Sequence, residues 1–198
     1  MRRRMWMGIC ISNNGTRKMN NKLVISIDPG KSGGIAWFDG KHMDWSKTPS
    51  GAIGMANSVR EIIADYEVEG GIKNQILVTI EKVHAMPHDG RSSIFKFGMN
   101  YGIWIGILGL MNIDPVGIVP RTWQKHYIES PKAFKSKVER KRYLKNIAIE
   151  CYQTGDKKIT LATSDAVLIC KYSYEELLLS SSDVASNNKG DNDDGKDI

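Results

Sequence analysis

The chain has little of what would hold it together or mark its chemistry through sulfur and imidazole. In 198 residues it carries three cysteines and four histidines. Cys10, Cys151 and Cys170 are odd in number and far apart. That spacing argues against a disulfide framework and a structural zinc site, and for a reducing, intracellular setting. Long apolar runs are also missing. The best candidate for a membrane span, 94–111, is interrupted by Lys96 and Asn100, which leaves too short a run to cross a bilayer. The N-terminal segment MRRRMWMGICISNNGTRKMNN lacks the apolar stretch of a secretory signal. It lacks acid as well: residues 1–22 carry six Lys/Arg and no Asp or Glu. Three readings stay open there: an unstructured basic arm over 1–21, an upstream start with Met19 as the working one, and an organelle transit segment.

Two familiar signatures are incomplete. The turn DPGKSGG contains GKS, but a Walker loop needs a glycine five residues before its Gly-Lys, and that position is Ile25. An actin-like phosphate loop would need a second such loop, and none is visible. His84 and His88 stand four apart in HAMPH, yet Pro87 and Asp89-Gly90 mark a loop rather than a helix. No further His/Cys cluster completes a zinc site, so these histidines read better as polar loop residues than as metal ligands.

What is present fits one domain. The apolar content is 41%, enough for a full core in about 150 residues. The domain is expected over 22–178, followed by an acidic, Ser/Asn/Asp-rich tail over 179–198. The net charge of +6 is concentrated: residues 121–148 hold nine Lys/Arg against two Glu. Such a run is either a solvated helical face or a phosphate-binding surface.

Periodicity predicts strands over 22–28, 35–38, 42–47, 75–81 and 114–119, with helices over 53–68, 92–111, 121–127, 134–152 and 164–178. Asp39-Gly40 signals a two-residue hairpin, and Ser92 or Ser93 is expected to cap the second helix. The order gives an α/β fold: a five-stranded mixed sheet with helices on both faces.

Three acids sit at the edges of these elements. Asp28 ends LVISID, Glu81 ends ILVTIE, and Asp165 opens DAVLIC. Carboxylates at the ends of buried strands are costly unless paired with cations or bound to metal. Three at one point would hold hard divalent ions through oxygen. Two such ions can clamp the attacking and leaving oxygens of a phosphodiester. Two further patterns accompany them. Gly98, Gly102 and Gly106 align on one helix face, which suits either packing on the sheet or a helix–helix dimer seam. In 134–152, Lys137, Arg140, Lys141 and Lys145 lie on neighbouring turns, over an apolar face of Val138, Leu144, Ile147, Ala148 and Cys151. Arg121, Lys125, Lys132 and Lys135 extend the positive surface.

LVISIDPGKSGGIAWF, ILVTIEKVHAMPHDGRSSIFKFGMNYGIWIGIL and SDAVLIC together resemble the RuvC-type Holliday-junction resolvases, especially their phage and viral branches. The resemblance spans roughly 22–175, and IEKVHAMP…SS…FKFG…YG is its most specific part. It implies an RNase H-like fold, a homodimer, and paired nicking of a four-way DNA junction with Mg2+ or Mn2+, two ions per site. It implies that Asp28, Glu81 and Asp165 are the metal ligands and that Lys135 or Lys137 supports catalysis. The DNA contacts expected with it are Lys31, His84, His88, Arg91, Arg121, Lys125, Lys135, Lys137, Arg140 and Lys141. The glycine helix matches the family's dimer helix. One departure stands out. The family usually has an acid or His three residues before its last Asp, where this chain has Ala162; Asp156 is a candidate substitute. The alternatives are another RNase H-like nuclease or recombinase, and a junction-binding protein with impaired catalysis.

Overall fold

The structure, a computed structural model, describes residues 22–30, 32–71, 75–82, 90–130, 134–152 and 156–179. The expected arm over 1–21 and the tail from 180 onward lie outside the described residues, as do Lys31, His84 and His88.

Five strands and five helices follow in the expected order. They are β1 (Leu23–Ile27), β2 (Gly34–Phe38), β3 (Met43–Lys47), α1 (Gly51–Val68), β4 (Ile76–Glu81), α2 (Arg91–Leu110), β5 (Val116–Ile118), α3 (Pro120–Tyr127), α4 (Lys137–Tyr152) and α5 (Ser164–Tyr172). A π-helical segment, Ser173–Leu179, continues α5. The sheet order is β3-β2-β1-β4-β5. β1–β2 and β2–β3 are antiparallel, while β1–β4 and β4–β5 are parallel. The expected α/β fold, a mixed five-stranded sheet between helical layers, is the one observed.

The alternation of β1 divides the core. Leu23, Ile25 and Ile27 point to one side, where they meet Met55, Val59, Ile62 and Tyr66 of α1 and Trp104, Ile107 and Leu108 of α2. Val24 points to the other side, among residues of α3, α4 and α5. All five β1 residues are buried, as period-2 geometry requires of a strand covered on both faces. Helix α5 is enclosed from Ser164 to Cys170. Truncating a side chain such as Leu168 to Ala should therefore cost roughly 2–5 kcal/mol.

Local chemistry moved several expected boundaries. The β2–β3 connection is Asp39–His42 rather than two residues. The Asp39 carboxylate accepts the backbone N–H groups of Lys41 (2.7 Å) and His42 (2.6 Å), which keeps them out of the ladder. Helix α2 begins at Arg91 behind Gly90, whose carbonyl takes the N–H groups of Ser93 and Ile94. Ser92 and Ser93 thus lie inside the helix and cap nothing. Helix α4 begins at Lys137 instead of 134, because Ser136 Oγ accepts the Glu139 N–H at 3.1 Å while the Glu139 carboxylate accepts the Lys135 N–H at 2.8 Å. This is a reciprocal N-terminal cap. Its expected apolar face is narrower than the sequence suggested: Leu144 and Ala148 are buried, but Val138 and Cys151 are exposed.

Candidate active site

Strand register carries two of the three acids to one place. β1 and β4 are parallel neighbours, and Ser26 pairs with Thr79. Their hydroxyls meet at 2.6 Å on the α5 side of the sheet. Ser173 Oγ, at the end of α5, bonds Thr79 there at 3.2 Å. Two residues further along each strand, the same face and the same end of the sheet receive Asp28 and Glu81. Helix α5 supplies the third acid from its first turn, where a carboxylate is favoured by the helix dipole. The preceding turn is held by Thr160 and Thr163: the Thr160 N–H donates to Thr163 Oγ1 (3.0 Å), and the Ser164 N–H donates to the Thr160 carbonyl (2.9 Å).

The DPGKSGG turn shapes the site around Asp28. Gly30 N–H donates to Asp28 Oδ1 at 3.0 Å, and Asp28 N–H donates to the Gly34 carbonyl at 2.9 Å. A Cβ on Gly33 would fall 2.1 Å from the Asp28 carbonyl oxygen. On Gly34 it would fall 2.9 Å from the Ala162 carbonyl, in the turn before α5. These glycines let the turn fold back on its own carboxylate and let the α5 leading turn approach it.

The three carboxylates act on one another. Burial raises the Asp28 pKa to about 6, helped by the charge of Asp165 and opposed by the Gly30 N–H and by Lys141. Burial raises Glu81 to about 8, with Asp28 and Asp165 adding repulsion. Asp165 is also raised by burial, against the pull of Lys141, Ser164 and Arg140. Glu81 and Asp165 are 8% and 7% exposed, whereas Asp28 keeps partial access to solvent. Buried acids that resist ionisation are common where a cation is to be bound or a proton moved.

Two of the acids have side-chain partners that the sequence did not announce. The buried Trp123 of α3 donates its Nε1–H to Glu81 Oε1 at 2.9 Å. Lys141 Nζ stands 3.6 Å from Asp165 Oδ2. The lysine that reaches the carboxylates is thus Lys141, one turn beyond Lys137; Lys137 and Lys135 are exposed at the start of α4. A clue to Trp123 was available: it is the one large apolar side chain between the polar residues of PRTWQK.

The remaining expected residues scatter. Arg91 is exposed at the start of α2, and Arg121 and Lys125 are exposed on α3. Arg140 and Lys141 are half-buried toward the acids. Asp156 is exposed after α4, and none of the interactions described for Asp28, Glu81 and Asp165 involves it. Gly98, Gly102 and Gly106 are exposed, and among the described residues a Cβ on any of them would meet nothing within 4 Å. The sheet-packing explanation for these glycines therefore fails. Phe95, Met99 and Ile105 flank them on the same side of α2 and are 72%, 49% and 37% exposed. Together they make an apolar stripe along the outside of α2.

The donor set suits a hard cation: three oxygen acids, mutually repelling, beside one ammonium. The arrangement is not a closed cage. Among the described residues no group of three or more His, Cys, Asp or Glu side chains could hold a metal ion as it stands. No described helix is long and apolar enough to cross a membrane.

No protein-family model and no curated protein matches the chain. Among solved structures, it is similar to a Thermus thermophilus RuvC structure, with 14% identity, a TM-score of 0.47, and coverage of 78% of this chain and 96% of the other. It is also similar to T. thermophilus RuvC in complex with Holliday junction substrate, with 15% identity, a TM-score of 0.44, and coverage of 79% and 96%.

Proposed function

We propose that this chain is a divalent-metal-dependent endonuclease that resolves four-way DNA junctions as a homodimer. The observation that carries the reading is the convergence of Asp28, Glu81 and Asp165. Two adjacent parallel strands and a helix N-terminus deliver three acids to one end of the sheet, where burial and mutual repulsion hold their pKa values high. Such a cluster is destabilising unless a cation completes it.

Asp28, Glu81 and Asp165 would be the ligands of Mg2+ or Mn2+. When bound, the metal supplies an activated water and stabilises the leaving 3′ oxygen. The chain's own residues prepare that chemistry. Trp123 fixes the Glu81 carboxylate through its indole N–H. The Gly30 N–H orients Asp28. Arg140 and Lys141 present positive charge beside Asp165, where a phosphate would lie. Arg121 and Lys125 on α3, Lys135 just before α4 and Lys137 at its start are exposed, where they would track the DNA backbone.

The outer stripe of α2 supports the dimer. An exposed apolar row with glycines every fourth residue suits close approach of the same helix from a second copy. Two sites related by a two-fold axis would then nick two strands of a branched substrate.

The test is a synthetic immobile four-way junction incubated with and without Mg2+, followed by denaturing gel and mobility shift. Metal-dependent cleavage supports the nuclease. A shift without cleavage in either Mg2+ or Mn2+ supports the second reading, a junction-binding protein with impaired catalysis. That reading is favoured by Ala162, which brings no ligand, and by the open arrangement of the acids. Cleavage of an RNA–DNA hybrid or another branched substrate in preference to the junction would indicate a different RNase H-like nuclease.

A further inference from the structure

The acidic cluster already contains a cation of its own. Lys141 Nζ lies 3.6 Å from Asp165 Oδ2, with the lysine side chain 45% exposed and the aspartate 10%. Helix α4 fixes it there, because Leu144 and Ala148, three and seven residues further along, are buried against the core and turn the Lys141 edge toward α5. The same ammonium acts on Asp28 and Glu81 as well as on Asp165. Arg140, the neighbouring residue, adds positive charge toward Asp165. Glu81 is further tied to Trp123 and Asp28 to the Gly30 N–H, so Asp165 is the carboxylate committed to the lysine. On the α5 side, Ala162 adds no donor that would balance a second metal ion.

We propose that the Lys141 ammonium takes the place of one divalent ion, so that the site holds a single metal among its carboxylates instead of two. This inference rests on the nuclease reading and departs from the two ions per site that the family resemblance implies. Charge balance favours it. Three carboxylates and one ammonium leave a charge that one divalent ion cancels. A second divalent ion bridging Asp165 would sit within contact range of Nζ, where like-charge repulsion in a partly buried site is severe. The fixed ammonium can face a phosphate oxygen as a point charge without being imported from solution.

The experiment counts bound metal. Full-length wild type, Lys141→Met and Lys141→Arg are titrated with Mn2+, and free Mn2+ is read by electron paramagnetic resonance. Thermal melts confirm that each variant is folded; should Lys141→Met be unfolded, Lys141→Ala takes its place, since the position is nearly half exposed. The expected result is one Mn2+ per chain for wild type and Lys141→Arg, and two for the variant without the charge. Two ions per chain in wild type would overturn the inference. One ion in every variant would also overturn it, while leaving the metal-dependent site intact. No binding by any of the proteins would overturn the metal-dependent reading itself, and this inference with it.

Discussion

Two regions of this molecule break the usual inside-out arrangement in opposite directions. At one end of the sheet, three acids are drawn into the protein, where apolar side chains would be expected. Along the outside of α2, Phe95, Met99 and Ile105 stand in solvent among glycines, where charge would be expected. The first region is short of cations, and the second is short of apolar cover. Each deficit has its own signature: carboxylate pKa values held high in one case, and open space around every glycine Cβ in the other. On the function proposed above, the difference has one meaning: a single chain is incomplete twice, once for an ion and once for a second copy.

The largest expected effect comes from cancelling the charge in the first region. Asp28→Asn, Glu81→Gln and Asp165→Asn should each lower junction cleavage by more than the roughly 100-fold typical of losing a ligand's supporting partner. Junction binding should stay within a few-fold by mobility shift, because the amides keep the shape. Strong Mg2+-dependent nicking by Asp165→Asn would remove that residue from the site.

The stripe is next. A Cβ at Gly102 meets nothing within 4 Å among the described residues, so Gly102→Leu should leave the fold of the single chain intact. It should shift the protein from dimer to monomer in light scattering, and paired nicking should be lost before DNA binding. An unchanged dimer would place the seam elsewhere.

Trp123→Phe sharpens the comparison by weakening the charged region without touching the stripe. Loss of the indole donor to Glu81 should cost roughly 10- to 100-fold in metal affinity or cleavage, with the dimer unaffected. Cleavage equal to wild type would mean that the hydrogen bond only packs α3.

The smallest effect is in stability. Glu81 at about 8 and Asp28 at about 6 lie above their ordinary values of 4.5 and 3.8. In that window the native state binds protons that the unfolded chain has released. Metal-free stability should therefore fall as pH rises from about 4 to about 8. Melts in EDTA should show this decline, Glu81→Gln should flatten it, and Mg2+ should add more stability at pH 8 than at pH 5. A flat metal-free profile would contradict the burial of these charges.

Much of this was legible in the sequence, for physical reasons that differ by element. The strands could be read because burial on both faces demands the apolar runs of LVISI and ILVTI. The acids could be read because each closes or opens such a run. The identity of the acidic site's partners could not. Trp123 reaches Glu81 from 42 residues away, and no local period encodes that approach. Lys141 was one of several basic residues on α4, and only the seating of Leu144 and Ala148 decides which lysine faces Asp165. The stripe was half visible: the glycines were noted, but Phe95, Met99 and Ile105 beside them were not. The start of α4 depended on which Ser-Glu pair closed its cap, a choice made by side-chain geometry.

One measurement tests the central claim most directly. A four-way junction labelled in turn on each of its four strands, and a linear duplex of matched sequence, are incubated with wild-type protein under single-turnover conditions, with and without Mg2+. The account predicts metal-dependent nicks at symmetric positions on two opposing strands of the junction, with ligatable 5′-phosphate ends, and little cutting of the duplex. A junction that is bound but stays intact at every Mg2+ and Mn2+ concentration, or a linear duplex cut as fast as the junction, would contradict it.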